Sequence, residues 1–233
     1  MARSQIIKRA IDIVGATAGL LILAPLLMVV AVAIRVTMGR PVLFSQIRPG
    51  YRAQLFTMLK FRTMREACGA DGQPLPDVAR LTRLGSLLRR TSVDELPQLW
   101  NVLRGDMSLV GPRPLFAAYL DRYTATQARR HEVRPGLTGL AQINGRQDIL
   151  FSRRLELDVW YVDHWSLGLD ANILLLTVIR VLRARGVRGG QDDVDLVDLG
   201  PQEPVFPSST DVTASALIHD EGGAYAGRSS DPG

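Results

Sequence analysis

Residues 11–34, with the sequence IDIVGATAGLLILAPLLMVVAVAI, form an almost uninterrupted apolar run near the N-terminus. As an α-helix, the run would be about 36 Å long, enough to cross a hydrocarbon core of about 30 Å. It is too long for the apolar region of a cleaved signal peptide, and no small-residue cleavage site follows it. The run therefore predicts a membrane-embedded helix at the start of the chain.

Two features of this run bear on its path through the membrane. Pro25 lies inside it, where a proline costs about 3 kcal/mol unless the helix bends. Basic residues flank both ends, which suits a re-entrant helix whose two ends are cytoplasmic. From the residues alone, this bent helix and an ordinary kinked spanning helix are equally supported. Asp12 lies one turn after Lys8, so we expect these two side chains to neutralise each other at the membrane surface.

The charges are distributed unevenly along the chain. The net charge of +5 combines −7 on residues 186–233 with +12 on residues 1–185. A basic body of this kind attracts phosphates. The single cysteine, Cys68, and three scattered histidines disfavour a disulfide or a structural zinc site, so any metal should be a hard ion bound by oxygen. The acidic residues 186–233 are rich in Gly, Pro, Ser and Asp, which predicts a mostly disordered tail.

Between the apolar run and the tail, the pattern predicts an α/β body that is mixed and mostly helical. Strands are expected at residues 41–45 and Leu55–Phe61, and helices at 80–90, 93–103, 116–130, 152–164 and 171–185. The last helix interleaves apolar and basic residues, and Trp160 and Trp165 precede it. This composition suits the surface of an anionic membrane, although a core helix with a solvated basic face is the alternative.

The most informative motif is LRRTSVDELPQLWNVL, residues 88–103. Ser92, followed three residues later by Glu95, has the form of a capping box, which places Asp94 and Glu95 in a first helical turn. Pro97 favours an irregular, exposed helix start, which indicates that the two acidic residues do more than cap a helix. Two adjacent carboxylates need a cation nearby, either Mg²⁺ or arginines. A carboxylate in this position can also attack phosphorus to give an acyl phosphate.

Several basic residues are candidates for phosphate binding. Lys60 and Arg62 alternate with apolar residues, so on one strand face they would lie about 6–7 Å apart and could straddle a diphosphate. Arg113 stands between two prolines with fixed φ, which favours a phosphate clamp. Arg146 ends a glycine-rich stretch whose N–H groups can approach phosphates. The alternatives are solvated strand residues, a structural turn and a β-hairpin turn at Asn144-Gly145.

Together, these segments resemble the monotopic phosphoglycosyl transferases, the bacterial sugar transferase family that begins the assembly of capsules, O-antigens and glycoprotein glycans. The resemblance extends from about residue 8 to residue 177, with the motifs in the order of the family. The motifs are Lys8-Arg9 with Asp12, Pro25, Gln46 with Arg48 and Gly50, residues 60–64, residues 89–98, residues 105–114 and residues 134–146.

The resemblance implies a mechanism. Asp94 matches the family nucleophile, which attacks the β-phosphate of a UDP-sugar, releases UMP and holds a covalent phosphosugar. A polyprenyl phosphate, usually undecaprenyl phosphate, then takes the sugar phosphate. Glu95 would assist in metal binding or proton handling, Mg²⁺ is the expected metal with Asp94 and Glu95 as its ligands, and Arg89 matches a phosphate-contacting arginine. Pro25 matches the proline that bends the re-entrant helix.

The expected organisation follows. Residues 1–40 form the membrane-embedded re-entrant helix, residues 41–185 form a catalytic domain with interfacial amphipathic helices on the cytoplasmic face of the inner membrane, and residues 186–233 form the tail. The resemblance implies the minimal catalytic form, with UDP-sugar, undecaprenyl phosphate and membrane lipids as partners. The sugar, the glycan pathway, including exopolysaccharide synthesis, and homodimer formation are left open.

Two other functions compete with this one. A non-catalytic membrane scaffold is weakened by the intact Asp94-Glu95 pair. Nucleic-acid binding is disfavoured because the basic body carries no interleaved aromatic and basic motif and no helix-turn-helix pattern.

Overall fold

The computed structural model describes residues 2–69, 72–73, 75–145 and 149–182, so the predicted acidic tail lies outside the described residues. The fold is mostly helical, as predicted, and it contains two small sheets, the second of which was not predicted. The helices are α1 (Ala2–Met38), α2 (Asp77–Arg80), α3 (Arg83–Thr91), α4 (Gln98–Arg104), α5 (Ala125–Ala128), α6 (Leu140–Ile143), α7 (Phe151–His164) and α8 (Leu167–Leu182). The strands are β1 (Leu43–Pro49), β2 (Leu55–Phe61), β3 (Ser108–Val110) and β4 (Gly136–Thr138).

Helix α1 contains the apolar run and continues past both of its ends. By length and composition, its segment Ser4–Met38 could cross a membrane. Helical structure continues through Pro25 without interruption, so the bend expected there stays a prediction.

Both halves of α1 pack against the body. In the N-terminal half, Ala16 lies in an apolar cluster with Leu99 and Val102 of α4. In the C-terminal half, Ile34 packs with Phe61 and Leu88. The opposite face of α1 is exposed and apolar: the exposed fractions reach 72% for Leu21, 76% for Ile22 and 78% for Val36. A continuous apolar surface of this kind marks a contact with lipid or protein.

Polar contacts fasten the N-terminal end of α1 to the body. The Lys8 ammonium lies 2.6 Å from the Asp170 carboxylate. Asp12 accepts hydrogen bonds from the Ser108 hydroxyl (3.0 Å) and the Leu109 N–H (2.9 Å). The predicted mutual neutralisation of Lys8 and Asp12 is therefore wrong, because each side chain has a closer partner in the body.

Arg9 connects α1 to the end of α4. Its guanidinium donates to the carbonyls of Val102 (2.6 Å) and Leu103 (2.8 Å). These carbonyls belong to the last turn of α4, where a cation complements the helix dipole.

The two sheets are small and differ in topology. Strands β1 and β2 are antiparallel, with Phe44 opposite Lys60. β1 extends to Pro49, so it begins and ends later than predicted, whereas β2 has the predicted bounds. Strands β3 and β4 are parallel and pair Ser108 with Gly136.

The helical predictions differ in outcome. The helix expected at 80–90 is found as α3, which begins later because the Thr82 hydroxyl accepts from the Gly85 N–H and caps its start; the separate short helix α2 ends at Arg80. The continuous helix expected at 116–130 is wrong. A 3₁₀ segment, Ala117–Arg122, ends before Thr124, whose capping box with Gln127 starts α5 afresh. Asn144-Gly145 follows α6 and forms no β-hairpin. The last two helices are found as α7 and α8.

Candidate functional site

The acidic pair lies in a 3₁₀ turn, Val93–Glu95, between α3 and α4. Ser92 has φ 58° and ψ 17°, which ends α3 in the left-handed region, and its side chain makes no capping hydrogen bond. The capping box expected between Ser92 and Glu95 is therefore wrong. The Glu95 carboxylate makes its hydrogen bonds to side chains of other elements instead.

Two cations engage Glu95. The Lys60 ammonium lies 3.0 Å from Oε1. The Arg113 guanidinium donates through Nη2 to Oε1 (2.5 Å) and through Nη1 to Oε2 (3.3 Å). Burial alone would raise the pKa of Glu95, but Arg113 and Lys60 together hold this pKa well below its usual range. Glu95 is therefore ionised and holds two basic side chains in one place.

Asp94 has a different environment, although it is the adjacent residue. Its exposed fraction is 7%, and among the described residues no group donates a hydrogen bond to its carboxylate. Burial, together with the negative charge of Glu95, raises the pKa of Asp94 to about 6, although Lys60, Arg113 and Arg89 oppose the shift. Two neighbouring acids with pKa values driven apart are typical of a pair with separate chemical roles.

Arg89 completes the basic surroundings of Asp94. It lies in the last turn of α3, and its Nε donates to the Thr63 hydroxyl at 3.0 Å. The structure thus brings together five of the residues proposed from sequence. They are Lys60, Arg89, Asp94, Glu95 and Arg113.

Arg62 is not brought to the acidic pair. β2 ends at Phe61, and Arg62 is only 8% exposed. Its guanidinium donates to the carbonyls of Arg40 (2.8 Å) and Met64 (3.0 Å). These contacts fasten the chain just beyond α1, so the expected straddling of a diphosphate by Lys60 and Arg62 is not formed. Arg146 lies outside the described residues.

Asn101, which the sequence analysis did not single out, connects the acidic turn to β2. Its Oδ1 accepts from the Leu59 N–H (3.0 Å) and its Nδ2 donates to the Thr57 carbonyl (2.7 Å). The side chain is fully buried. Because Leu59 precedes Lys60, this contact helps to fix the distance between the Lys60 ammonium and the acidic pair. A lone Asn in a helix carries no sequence signal for such a role.

The buried pair Arg130–Asp158 was also missed. The Arg130 guanidinium lies 2.7 Å from the Asp158 carboxylate and donates to the Arg113 carbonyl at 2.6 Å. No local pattern could reveal this pair, because the two residues belong to separate elements.

The acidic pair is the candidate Mg²⁺ site. The described residues contain no group of three or more His, Cys, Asp or Glu side chains that could hold a metal ion. Mg²⁺ is commonly bound by one or two carboxylates, with substrate phosphates completing its shell. Asp94 and Glu95 fit this kind of site, with the oxygens of Glu95 shared with Lys60 and Arg113. The metal stays a prediction.

Comparison with known proteins identifies the family to which this chain belongs. Residues 3–184 match the family model of the bacterial sugar transferases. An uncharacterised sugar transferase of Bacillus subtilis, EpsL, is 51% identical over 184 residues, which cover 79% of this chain and 91% of the relative. A UDP-glucose:undecaprenyl-phosphate glucose-1-phosphate transferase of Caulobacter vibrioides is 46% identical, over 75% of this chain and 69% of that enzyme.

A longer relative shares the same region. The galactosyl transferase CpsE of Streptococcus agalactiae is 41% identical over 78% of this chain, but the match covers 44% of that protein. The family match and these identities together show that the chain is an enzyme of the bacterial sugar transferase family.

Proposed function

We propose that this enzyme transfers a sugar 1-phosphate from a UDP-sugar to undecaprenyl phosphate through a covalent phosphosugar on Asp94, with release of UMP. The observation that carries the proposal is the asymmetry of the acidic pair. Glu95 is held by Lys60 and Arg113, whereas Asp94 is buried and accepts no hydrogen bond from any described residue. The Caulobacter relative, which is named as a UDP-glucose:undecaprenyl-phosphate glucose-1-phosphate transferase, supports the same reaction class.

In the first step, an ionised Asp94 oxygen attacks the β-phosphorus of the donor. The bond from that phosphorus to the bridging oxygen breaks, and UMP leaves with the electron pair. Lys60 and Arg113, preassembled on Glu95, stabilise the negative charge that develops on the phosphoryl oxygens. Because Glu95 stays ionised, it keeps both cations in place. Its two oxygens are occupied by Lys60 and Arg113, so it does not compete as nucleophile.

In the second step, an oxygen of the lipid phosphate attacks the phosphorus of the acyl phosphate. The phosphorus–carboxylate bond breaks, which restores the Asp94 carboxylate and leaves a lipid-linked diphosphate sugar. Arg89, held by Thr63 beside Asp94, adds positive charge next to the reacting group. Mg²⁺ bound at Asp94 and Glu95 would neutralise phosphate charge.

A lipid acceptor requires a site at head-group depth, and the contacts of α1 support a re-entrant path. A straight helix of 37 residues is about 55 Å long, well beyond the hydrocarbon core. Yet Lys8 near its start bonds Asp170 (2.6 Å), and the Thr37 carbonyl near its end accepts from Arg65 (3.2 Å). A crossing helix would place these ends on opposite sides of the membrane. We therefore propose a dip bent at Pro25, with the body on the cytoplasmic face of the inner membrane.

Helix α8 offers a second contact with the membrane. Leu175 and Val178 are 61% and 56% exposed, and Arg180 lies in the same helix. An apolar face with a neighbouring cation suits an anionic interface.

The topology can be tested by labelling cysteines. Cys68 is exposed and serves as an internal cytoplasmic reference. A cysteine introduced by Ser4→Cys, near the start of α1, should react with an impermeant reagent from the same side as Cys68 in oriented membranes. Labelling of the two positions from opposite sides would contradict the re-entrant path.

The names of the relatives do not converge on one sugar: one acts on UDP-glucose and one is a galactosyl transferase. A further relative is an exopolysaccharide production protein of Rhizobium meliloti. We propose that the reaction is the first membrane step of glycan assembly and leave the sugar unassigned.

The reaction itself is tested with the full chain in nanodiscs. Undecaprenyl phosphate, Mg²⁺ and a panel of UDP-sugars are supplied, UMP is measured, and the protein is quenched without acceptor for mass spectrometry. We expect UMP release with at least one donor and a sugar-phosphate adduct on Asp94. Active turnover with no adduct on that carboxylate would exclude the covalent route.

A further inference from the structure

A buried ion pair lies behind the loop that carries Arg113. Arg130 and Asp158 are 2% and 3% exposed. The Arg130 Nε and Nη2 atoms donate to Asp158 Oδ2 at 3.1 and 2.7 Å, and Nη1 donates to the Tyr123 hydroxyl at 3.3 Å. Nη2 also donates to the Arg113 carbonyl at 2.6 Å. One guanidinium therefore connects α7 to the backbone of a residue in the candidate site.

The loop of Arg113 is held at three consecutive residues. The Gly111 N–H donates to the Thr138 carbonyl (2.9 Å), and the Pro112 carbonyl accepts from the Gly136 N–H (2.9 Å). The contact with Arg130 fixes the third residue, Arg113 itself. The two contacts with β4 fix the backbone at the start of the loop. The contact with Arg130 fixes the backbone of Arg113, whose side chain reaches Glu95.

An ion pair at this depth needs an explanation beyond stability. Desolvation of two buried charges cancels much of their attraction, so apolar residues of similar volume often give equal or greater stability. What apolar residues would lack is the bond to the Arg113 carbonyl. The planar guanidinium of Arg130 donates hydrogen bonds to a carboxylate, a hydroxyl and a carbonyl at the same time. A lysine ammonium cannot reproduce this geometry.

We propose that Arg130 and Asp158 are positioning residues that orient Arg113 toward the reacting phosphate. The contacts run from Asp158 to Arg130, then to the Arg113 backbone, and from the Arg113 side chain to Glu95. This inference rests on the proposed function, because Arg113 is the group through which the pair acts.

A double-mutant cycle distinguishes positioning from a general structural role. Arg130→Lys is measured alone and in an Arg113→Ala background, with kcat/KM for UMP release as the readout. Small displacements of catalytic groups cost rate steeply, so we expect a loss of about tenfold from Arg130→Lys in the otherwise native enzyme. In the Arg113→Ala background, where no guanidinium remains to be oriented, we expect a further loss of less than about twofold.

The neighbouring residue provides a matched control. Arg129 forms an ion pair with Asp163, which also lies in α7, at 2.5 Å, and is 39% exposed. Arg129→Lys should leave kcat/KM within about twofold in both backgrounds, because exposed pairs contribute little and the Arg129 side chain contacts Glu132 and Asp163, away from Arg113.

Equal fold losses from Arg130→Lys in both backgrounds would overturn the inference, and so would no loss in either. If Arg130→Lys does not fold, the same cycle with Asp158→Asn, which preserves side-chain volume, decides between these outcomes. A native enzyme that releases no UMP with any donor would overturn both the proposed function and this inference, whereas an active enzyme with additive losses would overturn the inference alone.

Discussion

Two of the charged clusters in this enzyme differ in how many hydrogen bonds their buried aspartate accepts. At the base of α1, Asp170 accepts from the Lys8 ammonium (2.6 Å), the Tyr161 hydroxyl (2.7 Å) and the Trp165 indole (3.1 Å). In the candidate site, Asp94 accepts from none of the described residues, while Glu95 beside it takes two cations. Buried polar groups are normally satisfied. The comparison teaches that a carboxylate with several hydrogen-bond donors stabilises the fold, whereas a carboxylate without a protein donor is available for chemistry.

The largest effect on turnover should come from removing the Asp94 carboxylate, which accepts no hydrogen bond from the described residues. Asp94→Asn keeps the shape but removes the proposed nucleophile, so we expect turnover to fall by roughly 10⁴-fold and the covalent adduct to disappear. UMP release and intact-protein mass report these changes. The melting temperature should not fall, because no described hydrogen bond is lost. Near-native production of lipid-linked sugar by Asp94→Asn would refute the assignment.

A change in the Asp170 cluster should instead lower the stability of the protein. Lys8→Met leaves the Asp170 carboxylate buried without its cation, which should cost about 3–5 kcal/mol in the free energy of unfolding. Denaturation in detergent measures this loss. The rate per folded molecule should change little, because Lys8 lies outside the site. A large fall in that rate without a loss of stability would mean that the cluster is part of the catalytic machinery.

Glu95→Gln sharpens the contrast between the two acids. The amide cannot hold Lys60 and Arg113 as an ionised carboxylate does, so both cations lose their common anchor. We expect kcat to fall by about 10²-fold, the scale for losing a preorganised electrostatic contact, while mass spectrometry still detects the adduct on Asp94. Complete loss of the adduct would indicate a more direct role for Glu95.

The smallest effect is a shift in pH dependence. In the proposed mechanism Asp94 attacks only as the anion, and burial together with Glu95 raises its pKa from 3.8 to about 6. The rate of adduct formation should therefore be full above this pKa and fall as the pH drops through about 6. Single-turnover rates from pH 4.5 to 8 give the position of this limb. A limb near pH 4, the ordinary value for aspartate, would mean that Asp94 is more solvated than the structure shows.

The predictions from sequence succeeded where a pattern is local. The exact bounds of β2 and the positions of α7 and α8 follow from the periodicity of nearby residues. The helix predicted at 93–103 forms only in its later part, as α4, which ends at Gly105 with φ 93°; its first turn, with Asp94 and Glu95, is a 3₁₀ segment instead. They failed where a side chain had distant alternatives. Ser92 and Glu95 have the spacing of a capping box, but Lys60 and Arg113 are stronger partners for the carboxylate than backbone N–H groups.

The sequence by itself determined the long apolar helix, the family and the acidic pair, because these depend on apolar length and contiguous motifs. Only the tertiary structure decided which basic residues reach that pair. It brought in Lys60, Arg89 and Arg113, directed Arg62 to the chain beyond α1, and set Arg130 behind Arg113. The physical reason is that a buried charge is bound by whichever partner folding brings within hydrogen-bond distance, and for these residues the partner comes from another element.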